Sequence, residues 1–294
     1  MVDLLGRFST EPLPAGSRIA CRIEYDGRSY QGWQWQPQKS VSTIQNTLQS
    51  ALSKVADHNI ELVCAGRTDA GVHAFAQVVH FETAVARSPK AWVIGANANL
   101  PPDVRVHWAV PVSNGFHARF SALSRRYRYL IANTAVRPAQ FVGQLTWQRR
   151  RLDHLRMHEA AQALLGERDF SAFRAASCQS RTPMRNVQRV AVSRQGDLVV
   201  IDIQANAFLH HMVRNIAGSL MVVGTGSQDV DWISQLLAGR DRTLAAETAV
   251  ADGLYLVDVL YPKEFDLPIT PYGPLLLRPN GETGSEHGDQ INPG

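Results

Sequence analysis

The sequence predicts an α+β fold, built as two related β-α-β-rich modules that share one central, mainly antiparallel sheet. Period-two alternation of apolar residues recurs in both halves of the chain, amphipathic helical stretches lie between these segments, and glycine and proline punctuate them at short intervals. At 294 residues with 45% hydrophobic content, the chain is long enough for two domains with substantial cores.

Residues 1–17 hold Pro12, Pro14 and Gly16 and read as a flexible lead-in. A strand follows from Arg18, where Ile19, Cys21, Ile23 and Tyr25 alternate with Ala20, Arg22 and Glu24. Ser42 and Thr43 offer capping hydroxyls to a helix whose Ile44, Leu48, Ala51, Leu52 and Val55 recur on one face. Residues 61–64 and 72–81 read as antiparallel strands flanking a glycine-bracketed loop, and a helix over 89–98 leads into a strand at 104–110. The segment 111–115, Pro-Val-Ser-Asn-Gly, is the best linker candidate, dividing an N-terminal α+β domain (18–112) from a C-terminal one (113–265). In the second domain, 126–132 reads as a strand and 152–165 as an amphipathic helix. Residues 187–193 and 198–204 read as a hairpin turned at Gln195-Gly196-Asp197, and 208–223 as a helix. No sequence repeat relates the two halves. Residues 266–294, rich in proline, glycine and acids with little periodicity, read as a disordered tail.

The loop Gly66-Arg67-Thr68-Asp69-Ala70-Gly71-Val72-His73 carries the densest chemistry. Arg67 and Asp69 are two apart, so in an extended backbone both side chains leave on one face, where the guanidinium can hold the carboxylate charged and aimed. Gly66 and Gly71 permit a tight turn or close approach to a ligand. On spacing alone the blander arrangement is the commoner one: Asp69 closing an Asx-type turn, with Arg67 a surface partner.

Net charge is only +4, yet between Arg119 and Arg194 fifteen arginines face four carboxylates, leaving +11. That balance points to a polyanion, and the best phosphate contacts are Arg125, Arg126, Arg128, Arg149, Arg150, Arg151, Arg181 and Arg185, interleaved with Tyr127, Tyr129 and Trp147. Arginine outnumbers lysine 26 to 4, which suits bidentate phosphate contacts, although genomic base composition explains such a ratio equally well. Cys21, Cys64 and Cys178 are too far apart for a zinc knuckle or a disulfide framework and fit a reduced, cytoplasmic setting. No apolar run approaches the ~18 residues that span a bilayer, so neither membrane insertion nor secretion is expected. His210-His211 and the pair His73 and His80 have no carboxylate or cysteine at ligand spacing, so no metal is expected.

The block 64–81, CAGRTDAGVHAFAQVVHF, resembles the signature of the TruA family of tRNA pseudouridine synthases. Further matches occur in the family's order: Tyr25-Asp26-Gly27 with Tyr30-Gln31-Gly32-Trp33-Gln34; 116–121 with Arg126-Tyr127-Arg128-Tyr129; 181–185; 206–215; and Gly253-Leu254-Tyr255-Leu256. One departure is Ala245 to Asp252, AAETAVAD, where the family usually carries prolines, which leaves the path of that loop open.

The resemblance implies the pseudouridine synthase fold, with two ferredoxin-like modules. It makes Asp69 the catalytic carboxylate, Arg67 its partner and the occupant of the gap left by an everted base, and Tyr127 the ring packed on the target uracil. Leu254 becomes an apolar wall of the pocket and Arg214 a partner of Asp69 or of substrate phosphate. From alternation alone Tyr127 and Leu254 read equally well as core residues. The face formed by Phe208, Met212, Ile216 and Leu220 leaves Arg214 off the apolar stripe. The implied activity is isomerisation of uridine in the anticodon stem-loop of tRNA, at positions 38–40, by a homodimer. No cofactor is expected, because the reaction consumes neither oxidant nor water. A competing class is a non-catalytic RNA-binding or RNA-chaperone protein. A third is a metal-dependent phosphoesterase using Asp69, Asp26 and histidines.

Overall fold

The computed structural model describes residues 8–34, 41–271 and 273–277. Along them follow β1 (Arg18–Tyr25), α1 (Ile44–Ala56), β2 (Val63–Cys64), β3 (His73–Glu82), α2 (Pro89–Asn99), β4 (Val104–Val112) and β5 (Ser124–Ala132). The chain continues through β6 (Thr146–Trp147), α3 (His154–Ala161), β7 (Gly166–Asp169), β8 (Met184–Gln195), β9 (Leu198–Ala205), α4 (Met212–Gly224), α5 (Trp232–Gly239) and β10 (Leu254–Leu260). Sheet order is β4-β1-β3-β10-β5-β9-β8-β7, with β2 on β3 and β6 on β5. Pairing is antiparallel except that β10 runs parallel to β3, and β6 to β5.

The helices form where the caps allow. The Thr43 hydroxyl accepts from the Asn46 amide, opening α1, and Ile44, Leu48, Ala51 and Leu52 turn inward. Each large aliphatic side chain so buried contributes about 1.5–3 kcal/mol. Pro89 occupies the first turn of α2 behind a Ser88 cap, and the Asp153 carboxylate accepts from the first amides of α3. The helix expected over 152–165 is shorter, closing as α3 with a 3-10 turn at Gln162–Leu164. The helix expected from 208 starts only at Met212. The expected linker begins later too, since β4 runs on to Val112.

The two faces of the sheet differ. On one, Ile23, Tyr127, Tyr129, Ile201, Ile203, Leu254 and Leu256 meet the helices in the main core. On the other, Phe75, Leu130, Val200, Tyr255 and Val257 form a smaller cluster. Leu277 packs on that cluster, and the Arg128 guanidinium bonds the Gly273 carbonyl. The part of the expected tail that the structure describes is therefore seated on the sheet rather than loose; residues 278–294, like 1–7 of the lead-in, lie outside the described residues.

The topology also qualifies the division at 113. Strand β10, from the C-terminal half, lies between β3 and β5 and makes one sheet of both halves. The loop 245–252, whose path the sequence left open, is held by α4. The buried Asn215 accepts from Arg242 and Thr248, at 3.0 and 2.7 Å, and Ala249 exchanges backbone and side-chain bonds with Arg214.

Candidate active site

The loop 66–72 leaves β2 and re-enters β3, and its conformation is set by the segment 25–33. Tyr25 and Thr68 share a 2.8 Å hydroxyl bond, the Trp33 amide donates to Thr68 O at 3.0 Å, and Gly71 N donates to Tyr30 O. Gly32, at φ +83°, passes so close that a Cβ there would lie 2.7 Å from the Thr68 carbonyl. A Cβ on Gly27 would overlap the Val72 carbonyl. The matched motif around residues 25–34 is thus the mould of the loop.

Thr68 is buried while Arg67 and Asp69 turn out on the other side, as i and i+2 in an extended segment. Both line a cleft of about 590 Å³ with Gln31, Gln34, Ala70, His210, His211 and Arg214. Arg67 is exposed and shares the cleft with Asp69, and among the described residues no ion pair joins the two. Arg214 pairs with the carboxylate, its Nη1 lying 3.4 Å from Oδ2 while its Nε donates to Ala249 O at 2.7 Å. His210 Nε2 stands 3.4 Å from Oδ1, and His211 Nε2 stands 3.4 Å from Oδ2. All three come from the start of α4, whose N-terminal dipole also favours a carboxylate. His211 is placed there by a left-handed backbone, φ 62°, that costs about 1–2 kcal/mol for a residue other than glycine. Burial, only partly opposed by the Asp69 charge, lowers the His211 pKa.

The two histidines are what the sequence reading missed. No carboxylate stands at ligand spacing to them in the chain, and only the fold brings Asp69 there.

Tyr127 is 8% exposed, with its hydroxyl near Gly66 and its ring edge-on to Phe208 at 5.1 Å. Burial, and then the Asp69 charge, push its phenol well above the ordinary value, so at neutral pH it is a proton donor and an aromatic face, not a base. Leu254 is buried beside Tyr129 at the head of β10.

The expected phosphate contacts divide. Arg125 clamps the loop's entry, donating to Ala65 O at 2.8 Å and to the carbonyls of Ala122, Asn206 and Arg119. Arg126 and Arg128 lie on the opposite face from Tyr127, where both bond Asp202 at 2.7–2.9 Å. Arg185 is buried on Thr182 O, Met184 O and the Ser180 hydroxyl. These four are corrected from phosphate contacts to internal partners, since alternation sends Arg126 and Arg128 away from the cleft and burial takes up the others. Arg149, Arg150, Arg151 and Arg181 are exposed, Arg150 resting on Ser227 Oγ and Thr225 O.

The sequence profile of the tRNA pseudouridine synthase family matches residues 22–121 and 160–262. A protein of Photorhabdus laumondii named tRNA pseudouridine synthase A is 59% identical over 260 residues, covering 88% of this chain and 98% of that one. Proteins of the same name from Actinobacillus pleuropneumoniae serotype 7 and Vibrio campbellii are 59% and 57% identical over 263 residues. Both alignments cover 90% of this chain, with 100% and 99% of the relative.

Proposed function

Because this chain belongs to the tRNA pseudouridine synthase family, and is an enzyme of the isomerase class, we propose that it isomerises uridine to pseudouridine in tRNA. The target is the anticodon stem-loop, at positions 38–40, with Asp69 as the catalytic carboxylate and no cofactor. The observation that carries the reading is the Asp69 carboxylate at the wall of the cleft, held by one guanidinium and flanked by two imidazoles at 3.4 Å each.

The reaction breaks the N1–C1′ bond, turns the uracil and joins C5 to C1′. The C5 hydrogen leaves as a proton and N1 gains one. Attack on C1′, addition to the pyrimidine ring and removal of the 2′ proton all require a carboxylate aimed at the nucleoside, in a pocket that keeps water from the detached base. Arg214 fixes the aim through its second bond to Ala249. Tyr127 supplies the ring that stacks on uracil and a hydroxyl that donates, and Leu254 supplies the apolar wall behind it. Arg67, facing the cleft without an internal ion pair to Asp69, enters the space the everted base vacates. Unstacking that base costs a few kcal/mol, offset by phosphate contacts from Arg149, Arg150, Arg151 and Arg181. A homodimer gives the stem-loop a surface longer than one cleft. Three free cysteines suit the reducing cytoplasm.

The test is tritium release from tRNA transcripts carrying 5-tritiated uridine, in EDTA, with wild type and Asp69→Asn. Release by wild type alone supports the reading. No release from any tRNA, with tight binding retained, replaces it with the non-catalytic RNA-binding alternative.

A further inference from the structure

We propose that Asp69, His210 and His211 form a binding site for a borderline divalent transition ion, with Zn²⁺ as its type, and that such an ion switches the enzyme off by occupying the carboxylate. The consequence for activity rests on Asp69 being the catalytic group; the binding site itself does not.

The three residues stand within a small side-chain adjustment of a three-ligand site. Tetrahedral coordination with bonds of about 2.0–2.2 Å sets neighbouring ligand atoms about 3.3–3.6 Å apart. Each oxygen of Asp69 already lies 3.4 Å from one imidazole nitrogen, and ligand atoms of all three residues fall within 4.8 Å of one another. Both histidines present Nε2 to the carboxylate. For His210 to ligate through Nε2 its proton must sit on Nδ1, and Nδ1 lies 3.1 Å from the Ser177 hydroxyl, which can accept it. The fourth position opens into the cleft, where water completes the shell.

Two charges oppose the ion, Arg67 across the same cleft and Arg214 against the carboxylate itself. Arg214 Nη1 contacts Asp69 Oδ2 at 3.4 Å and must swing aside. The guanidinium is a rigid plane, so this swing also turns its Nε away from Ala249 O, and that 2.7 Å bond loosens when the ion binds. The donor set also sorts ions by type. Two imidazoles and one carboxylate suit Zn²⁺, Co²⁺ or Ni²⁺, whereas Mg²⁺ demands an octahedron of oxygens and keeps its waters. Magnesium, which accompanies any folded RNA, therefore gains nothing from the two imidazoles and is expected to bind here far more weakly.

The experiment uses the full chain, stripped with chelator and titrated with Co²⁺ while the visible d–d absorption is followed. One equivalent is expected to bind with the intense band of a tetrahedral site, and Zn²⁺ to displace it. His210→Ala and His211→Ala each remove a ligand and are expected to weaken binding more than about a hundredfold. Ser177→Ala, which removes only the orienting partner, is expected to weaken it about tenfold. Cys178→Ser is expected to leave the band unchanged. A band that survives both histidine variants, or that vanishes with Cys178→Ser, overturns the site. In the tritium assay, Zn²⁺ is expected to stop release, EDTA to restore it and Mg²⁺ to do neither. Tight one-site binding without inhibition would overturn the switch, and absent tritium release under every metal condition would instead count against the isomerase reading.

Discussion

Two carboxylates in this protein each gather nitrogen-bearing side chains, one on a face of the sheet and one in the loop that leads into β3. Asp202 holds Arg126 and Arg128 through bonds of 2.7–2.9 Å, and Arg128 is 1% exposed. Asp69 holds Arg214, His210 and His211 at 3.4 Å each, beside an open cleft. The first cluster is closed: the Arg126 fork and Arg128 Nε give its carboxylate three bonds in the short geometry that a stable buried pair requires. The second is restrained but unsaturated, so the carboxylate keeps the capacity to bond something else. Charge inventory does not separate a structural pair from a reactive one; contact length and access do.

The sharpest way to break this comparison is to neutralise each carboxylate in turn. Asp69→Asn is expected to lower the tritium-release rate by at least about 10³-fold while shifting unfolding free energy by no more than about 0.5 kcal/mol. Asp202→Ala is expected to do the reverse, costing about 3–5 kcal/mol in denaturant unfolding because two guanidiniums lose their buried partner. Burial alone raises the Asp202 carboxyl, and Arg126 and Arg128 more than reverse it. Its contribution is therefore present above pH ~4 and is lost as pH falls below that toward its folded pKa. If Asp69→Asn unfolds the protein, or Asp202→Ala does not destabilise it, the distinction fails.

Arg214→Gln sharpens the comparison from the cation side. Loss of the loose pair is expected to slow turnover about 10–100-fold at saturating tRNA, with little change in RNA affinity. His80 is a buried base without a carboxylate bonded to it: burial first, then His117 and Arg18, push its pKa down to about 4. Because the unfolded chain takes up that proton near pH 6.5, the stability it contributes is full above pH 6.5 and falls as pH drops toward 4. His80→Gln is expected to flatten that slope by on the order of 2 kcal/mol, read from unfolding curves at pH 4.5 and 7. The smallest effect belongs to the exposed arginines. Arg181→Gln is expected to reduce the slope of log affinity for tRNA against log salt by about 0.7–0.9, whereas Arg128→Gln acts on stability instead.

How much of this was legible depended on the range of the interaction. The alternation of Ile19 to Tyr25, the Thr43 cap and the paired emergence of Arg67 and Asp69 are local, and the residues that write them are neighbours. Parity within β5 is legible in the sequence as well, since Arg126 and Arg128 must leave one side of a strand and Tyr127 the other, and it argues against the shared track expected of them. Asp202 as their partner is not legible there, since pairing β5 with β9 joins residues over seventy positions apart. The same holds for His210 and His211 beside Asp69. Helix α5 escaped notice because it is only eight residues long, too short for its apolar residues to repeat along one face, with Ile233 and Leu236 the ones it buries. The tail segment at 273–277 looked loose because its anchor, Arg128, lies in another strand.

The strand that unites the sheet is also the last strand made among the described residues. β10 comes from residues 254–260 yet separates β3 from β5, so during synthesis the N-terminal strands wait with an open edge until some 260 residues of chain exist. Until then the edge of β3 away from β1 is covered only by the two residues of β2, opposite Val79 and His80, and α4, which brings Arg214 and both histidines, has no completed sheet to rest on. Long-range pairings of this kind close slowly, because the loop entropy is lost before the contact forms. Assembly of the site and completion of the fold are consequently a single late event, and a nascent chain halted short of β10 holds every residue that surrounds Asp69 without the arrangement that makes it reactive.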